Sequence, residues 1–244
     1  MPNYRLTLTF EGTNYHGWQI QPNAVTVEEV VERAVAETVG KTVRVVGCGR
    51  TDAGVHAENY VANFFVDSGL SPERMRSALN SRLPEDVAVT ACDIAPDDFH
   101  ATFGVRGKVY RYAIATGPVR PVLDRNFVYH SRRTLDLDAM RRSAACLVGE
   151  HDFASFVTEH SSDKDTVRIV RRLDITSSGR YVFIEIEGNG FLYNMVRTIA
   201  GCLLAVGRGL RPPEWMKEVL DARDRTKAFE TAPAKGLTMV RAIY

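Results

Sequence analysis

The sequence predicts an α+β fold made of two α/β halves built alike, and three observations carry that prediction. Apolar residues switch between a period of two and a helical period in the order β-α-β-β-α-β over the first hundred residues. A similar alternation of strand and helix patterns follows. The charge changes where the two meet: residues 1–104 carry 8 basic and 14 acidic side chains, net −6, and residues 105–244 carry 23 and 16, net +7. The boundary is therefore set near Gly104, between an N-terminal half (1–104) and a basic C-terminal half (105–244). No internal repeat survives in the residues themselves.

Thr7 to Phe10 alternates as a strand does. "TVEEVVERAVAETVG" follows, with Thr26 three residues before Glu29 at capping-box spacing and Val27, Val30, Val31 and Ala34 on one helical face. "VRVVGC" and "YVANFFV" read as two strands joined by a turn. "SPERMRSALNSRL" has Ser71 as N-cap and Pro72 at the first helical position, where its missing N–H costs nothing. "VAVTACDIA" closes a unit with the order of a ferredoxin-like or RRM-like domain. After Gly104, "KVYRYAIA" reads as a strand and "LDAMRRSAACLVG" as a helix capped by Asp136. "VRIVRRLDIT" and "YVFIEIEG" read as a hairpin around "SSGR". A long helix over "FLYNMVRTIAGCLLAVG", ending at Gly207, a short one at "PPEWMKEVLDA" and a final strand "LTMVRAIY" complete the chain.

Composition narrows the function classes. At 45% hydrophobic and 25% charged residues, the 244-residue chain is globular rather than disordered. The opening "MPNYRLTLTFEG" lacks the charged and apolar regions of a signal peptide, and the most apolar segment carries Arg197, so a soluble, cytoplasmic protein without membrane contact is expected. Cys48, Cys92, Cys146 and Cys202 lie more than forty residues apart with no His at ligand spacing, which predicts reduced thiols and no metal centre. Arg supplies 25 of the 31 basic residues, and Val105–Arg142 holds nine basic residues against three acids. Arg is the planar, bidentate binder of phosphate, although the same richness also suits solvated surfaces.

"GRTDAGVHA" (49–57) is the stretch that asks for chemistry. A structural turn needs only Asn or Asp beside Gly. Here Arg50 and Asp52 stand between two glycines and two strands, which suits presented side chains as well as a capped turn. Asp52 has no second carboxylate at suitable spacing, no Ser-His partner and no phosphate loop beside it, so an acid/base hydrolase is poorly supported.

The turn and five other blocks, "FEGTNYHGWQIQPNAVTVEEVVERA", "DFHATFGVRGKVYRY", "HDFASF", "GNGFLYNMVRTIAGCLLAVGRG" and "APAKGLTMVRAIY", resemble in their order the bacterial tRNA pseudouridine synthase A family. The resemblance implies a homodimeric enzyme that isomerises uridine to pseudouridine in the 3′ part of the tRNA anticodon stem-loop, with no cofactor or metal. It implies a continuous, mainly antiparallel sheet flanked by helices, with the active-site cleft between the halves. Within it Asp52 matches the catalytic aspartate, Arg197 the basic residue paired with it, Tyr110 the tyrosine that stacks on the target base, and Arg50 an arginine that holds the flipped nucleotide open.

These roles are physically coherent. The uracil must leave the stack and stay held while detached, which needs an enclosed pocket. A carboxylate there tends to protonate by desolvation, and an opposing Arg keeps it ionised. Leu192, Met195, Val196, Ile199, Ala200, Leu203 and Leu204 surround Arg197 with apolar neighbours, which argues against a solvated surface Arg. Tyr110 and Tyr112 share one strand face, and the resemblance selects Tyr110, leaving Tyr112 to the core. His56 reads as a hydrogen-bonded loop residue, Trp18 and Gln19 as fold or RNA-backbone contacts, and Arg106–Arg142 as the phosphate track. Two positions depart from the resembled pattern: Asn59-Tyr60 stands where Gly-Gln is expected, and Thr102 where Arg is. An RNA-binding module without chemistry is the competing class. It requires the Gly and basic residue of an RNP-type strand, which "YVANFFV" and "YVFIEIE" lack. A purely structural dimer leaves the Arg-Thr-Asp turn without a role.

Overall fold

The computed structural model describes residues 1–158 and 165–244. The chain divides into two compact units, Met1–Arg106 with Met239–Tyr244, and Gly107–Thr238. In the first lie β1 (Asn3–Phe10), α1 (Val27–Val39), β2 (Val46–Gly47), β3 (His56–Phe65), α2 (Pro72–Asn80) and β4 (Val87–Ala95). In the second lie β5 (Gly107–Thr116), β6 (Tyr129–Ser131), α3 (Leu137–Ala144), β7 (Gly149–Asp152), β8 (Val167–Ser178), β9 (Tyr181–Gly188), α4 (Met195–Gly207) and α5 (Trp215–Ala222). The last strand, β10 (Leu237–Ile243), starts in the second unit and belongs to the first from Met239 onward. The class is α+β, as the patterning predicts, and the strands are mainly antiparallel, as the resemblance implies.

In the first unit β1 is central, antiparallel to β3 on one side and β4 on the other. Its alternation is that of a half-buried strand: Tyr4, Leu6, Leu8 and Phe10 face the core, opposite Phe64, Ala62, Tyr60 and Ala57 of β3. The β1–β3 register slips between Leu8 and Phe10, so that β3 carries an extra residue at Glu58–Asn59, immediately after the Asp52 turn. Both helices begin at the expected caps: Thr26 accepts from Glu29 N and Ser71 from Arg74 N. The acidic residues of α1 also tie down neighbouring chain, since Glu28 accepts from Ile20 N at 2.8 Å and Glu32 from Val45 N at 2.9 Å. That second tether has a visible cost in regularity. "VRVVGC" pairs with β3 as a strand only at Val46–Gly47, because the chain before it is bound to α1.

In the second unit β5 pairs antiparallel with β9 and parallel with β6, and the β8–β9 hairpin turns at Gly179 and continues to β7. The short strands β6 and β7 were invisible to periodicity: three and four residues are too few for a pattern. Helix α3 starts at Asp136, which accepts from Ala139 N at 2.9 Å, and gives way at Ala145 to one 3-10 turn rather than running on to Val148. The long helix is also shorter than its apolar run suggests. It starts at Met195, because Asn194 takes a left-handed conformation (φ 61°) that no α-helix continues through.

All four cysteines are free thiols. Burial pushes Cys202 up to about 11 and Cys92 up to about 12, so both stay protonated and unreactive at neutral pH. Among the described residues no helix is long and apolar enough to cross a membrane.

Candidate functional site

The four residues predicted for chemistry fall into two pairs, Asp52 and Arg50 in the first unit, Tyr110 and Arg197 in the second. The first pair sits on the turn between β2 and β3, bounded by Gly49 and Gly54 with φ of 149° and 79°. Val55 N donates to Asp52 O at 3.2 Å and closes the turn. Asp52 is half-buried and Arg50 exposed.

This turn is gripped from one side by the segment Gly12–Trp18, mostly backbone against backbone. Gly54 N donates to Tyr15 O at 3.1 Å, and Gly12 N donates to His56 Nδ1 at 3.0 Å. A Cβ on Gly12 would stand 2.0 Å from Val55 O, and one on Gly17, itself at φ 80°, 2.1 Å from Thr51 O. Glycine is required at both by close approach. His56 is buried and hydrogen-bonded through Gly12 N as expected, but it is the first residue of β3 rather than a loop residue. Its Nδ1 accepts, which places any neutral-ring proton on Nε2. Trp18 is settled as a fold residue: it is buried and stacked on Tyr60 with centroids 4.2 Å apart. Gln19 is exposed.

In the second unit twelve of the thirteen residues of α4 are buried, and the exception is Arg197. Two bonds from its own unit hold its guanidinium. Nε donates to Ala232 O at 2.8 Å and Nη1 to Asn194 Oδ1 at 2.9 Å, while Ala232 N donates back to Arg197 O at 3.0 Å. The segment at 230–232 can lie this close to the helix because Gly201 has no side chain: a Cβ there would stand 1.9 Å from Glu230 O. Asn194 does not cap α4 with its side chain; the amide serves Arg197 and Thr158 instead.

Tyr110 is 7% exposed, and its ring meets Phe191 edge-on with centroids 5.3 Å apart. Phe191 and Asn194 belong to the same loop, 189–194, between β9 and α4, so one short segment braces both second-unit candidates. Tyr112 is fully buried and donates to Pro233 O at 2.9 Å. It is a core residue, and burial drives its phenol well above the usual range. Along the basic run Arg106, Arg120, Arg125, Arg132, Arg133, Arg141 and Arg142 are exposed, with Arg141 engaged by Asp138 at 2.8 Å; Lys108 and Arg111 are half-buried.

Sequence reading missed the residues that hold these candidates in place. Asn194 and Ala232 lie inside quoted blocks, but neither residue type signals a tether for a distant guanidinium. Tyr60 and Thr102 did leave a signal, as the two departures from the resembled pattern, and both touch the chain that enters the Asp52 turn.

Comparison with known proteins agrees along the whole chain. The family model described as tRNA pseudouridine synthase matches residues 7–104 and 144–244. A protein named tRNA pseudouridine synthase A 2 from Clostridium perfringens is 40% identical over 244 residues, covering 100% of both chains. The tRNA pseudouridine synthase A of Brevibacillus brevis is 43% identical, again over 100% of both. Among solved structures, a chain of a Cbf5-Nop10-Gar1 complex aligns with 97% of this chain at 12% identity and a TM-score of 0.39. This chain spans 58% of its length, and the likeness is too loose to add to the family match.

Proposed function

The chain belongs to the tRNA pseudouridine synthase family, and from that premise we propose that it isomerises uridine to pseudouridine in the 3′ part of tRNA anticodon stem-loops, with Asp52 as the catalytic carboxylate. The observation that carries the reading is the Asp52 turn itself. A carboxylate on a loop fixed by backbone hydrogen bonds and steric contact at two glycines is pre-organised, and pre-organisation is where enzymes gain most of their rate.

The reaction moves the ribose from N1 to C5 of the uracil. The C1′–N1 bond breaks, the base turns, C1′–C5 forms, and the hydrogen on C5 leaves to water while N1 gains one. No electrons are exchanged with a second molecule, so no redox cofactor is called for. Asp52 is the group that meets the substrate covalently or as base. In this reading Arg197, whose Nε and Nη1 are held within its own unit, is the basic residue that the family resemblance pairs with the catalytic carboxylate, Tyr110 is the residue that stacks on the detached base, and Arg50, exposed two positions before Asp52, the one that holds the flipped nucleotide's place. The exposed arginines between Arg106 and Arg142 take the phosphates. On the same reading the enzyme acts in the cytoplasm, and as a homodimer as the family resemblance implies; a single 244-residue chain has little surface with which to grip the body of a tRNA and reach its anticodon arm as well.

The test is tritium release from tRNA carrying 5-tritiated uridine, without added metal or nucleotide. The intact protein releases tritium, and Asp52→Asn, with tRNA binding kept, releases it at least about a thousandfold more slowly. Equal release by the two proteins overturns the assignment of Asp52, and binding without release by either overturns the isomerase reading.

A further inference from the structure

We propose that Tyr60 and Thr102 are positioning residues that aim the Asp52 turn through its backbone, the Tyr60 hydroxyl holding the carbonyl of Gly49 and the Thr102 hydroxyl holding the carbonyl of Gly47. The inference rests on the reading of Asp52 as the catalytic carboxylate. Both hydroxyls donate, Thr102 at 2.7 Å, and their acceptors flank Cys48 on the last stretch of chain before Arg50. They come from separate elements, Tyr60 from β3 and Thr102 from the loop after β4, so the entry to the turn is held from two directions.

The bonds act on a part of the loop that needs them. A peptide unit is planar, so fixing the Gly49 carbonyl fixes the amide of Arg50 with it. Gly49 has φ of 149°, in the region open to glycine, where backbone rotation meets little steric resistance. Downstream the turn is already gripped by Gly12–Trp18; upstream, at Gly47 and Gly49, the two hydroxyls supply the restraint.

Tyr60 is itself held for this task. Its ring is fully buried and lies against Trp18, with centroids 4.2 Å apart, and against Phe10 at 5.6 Å. Gly47 leaves room for the pair: a Cβ there would stand 2.2 Å from the Tyr60 hydroxyl and 2.5 Å from the Trp18 ring. The extra residue of β3 at Glu58–Asn59 restores the alternation that turns Tyr60 inward, opposite Leu8. Packing alone asks only for the ring. The hydroxyl is the separable part, and it points at the one carbonyl that leads into Arg50. Thr102 is exposed, so its contribution to the core is small and its hydroxyl bond is its main contact with the turn.

The variants Tyr60→Phe, Thr102→Val, Thr102→Ser and the double Tyr60→Phe/Thr102→Val are compared in steady-state tritium release, with Asp52→Asn as the reference and thermal melting alongside. A misdirection of about 1 Å can cost up to about a hundredfold in rate. Tyr60→Phe is expected to lower kcat about tenfold and Thr102→Val about threefold, with KM for tRNA changed less than about twofold. Thr102→Ser, which keeps the donor, runs near the parent rate. Parent-level kcat in both Tyr60→Phe and Thr102→Val, with Asp52→Asn silent, overturns the positioning role and leaves the site reading intact. A fall in kcat that Thr102→Ser does not avoid, or that only follows a lowered melting temperature, also overturns it. Full release by Asp52→Asn instead sinks the site reading on which the inference rests.

Discussion

The two units hold their candidate residues by opposite means. In the first, Asp52 rides on a turn whose backbone is fixed: a neighbouring strip bonds Gly54 and His56, glycines allow contact at about van der Waals limits, and hydroxyls take two carbonyls at its entry. In the second, Arg197 leaves a helix that is otherwise buried, and its own guanidinium is tied to Ala232 and Asn194. A short carboxylate has no reach of its own, so its aim must come from the chain beneath it. A long guanidinium side chain has many rotamers, so its aim must come from bonds along its length. The difference teaches where each half is sensitive to change: to backbone substitutions in the first unit and to side-chain substitutions in the second.

The largest effect that probes this contrast is expected from Arg197→Lys. Lysine keeps the charge, but one ammonium cannot satisfy both Ala232 O and Asn194 Oδ1 from the places of Nε and Nη1. Tritium release is expected to fall about a hundredfold while the melting temperature moves by less than about 3 °C. A parent-like rate would break the comparison by showing that charge alone suffices.

Gly17→Ala comes next and tests the first unit. The new Cβ meets backbone 2.1 Å away, at a positive φ, and neither can yield cheaply. A loss of at least about 2 kcal/mol is expected, seen as a melting temperature lower by about 4 °C or more, together with reduced turnover. Gly40→Ala sharpens the result, because Gly40 has φ of 73° with nothing within 4 Å of its added Cβ. There the cost is about 1 kcal/mol of stability with the rate kept. Equal losses at both sites would mean that the grip on the turn adds nothing beyond backbone strain.

Asn194→Gly is the smallest change. Glycine adopts φ of 61° freely, so α4 still begins at Met195, while the bond to Arg197 Nη1 is lost and that to Ala232 stays. A threefold fall in kcat, about 0.7 kcal/mol at about 1.4 kcal/mol per tenfold, with unchanged melting, is the expected result of losing the Asn194 tether while the Ala232 tether stays. A fall as large as that of Arg197→Lys would place the whole restraint in Asn194.

Much of this was legible in the residues. Thr26, Ser71 and Asp136 announced three helix starts because capping is a local bond between a side chain and an amide three positions on. The alternation of Tyr4, Leu6, Leu8 and Phe10 gave β1 its buried face. The glycine-bounded turn marked Asp52 and Arg50. The start of α4 was misjudged because the apolar run begins at Phe191 while the left-handed residue Asn194 lies inside it, and asparagine signals that conformation only weakly. Strands β6 and β7 escaped because each is defined by its partner rather than by its own pattern.

By itself the sequence determined the class of fold, the caps and the Gly-bounded turn of Arg50 and Asp52, since these follow from short-range periodicity and from residue type, while the family resemblance singled out Tyr110 and Arg197. Only the tertiary structure decided what holds them. That Gly47 leaves room for Tyr60 and Trp18, that Thr102 reaches the Gly47 carbonyl across 55 positions, and that Ala232 pins Arg197 from 35 positions away are facts about distant segments packed to contact. Such contacts depend on the shape of the filled core, in which every atom's place is set by all its neighbours, and no local pattern of residues encodes them.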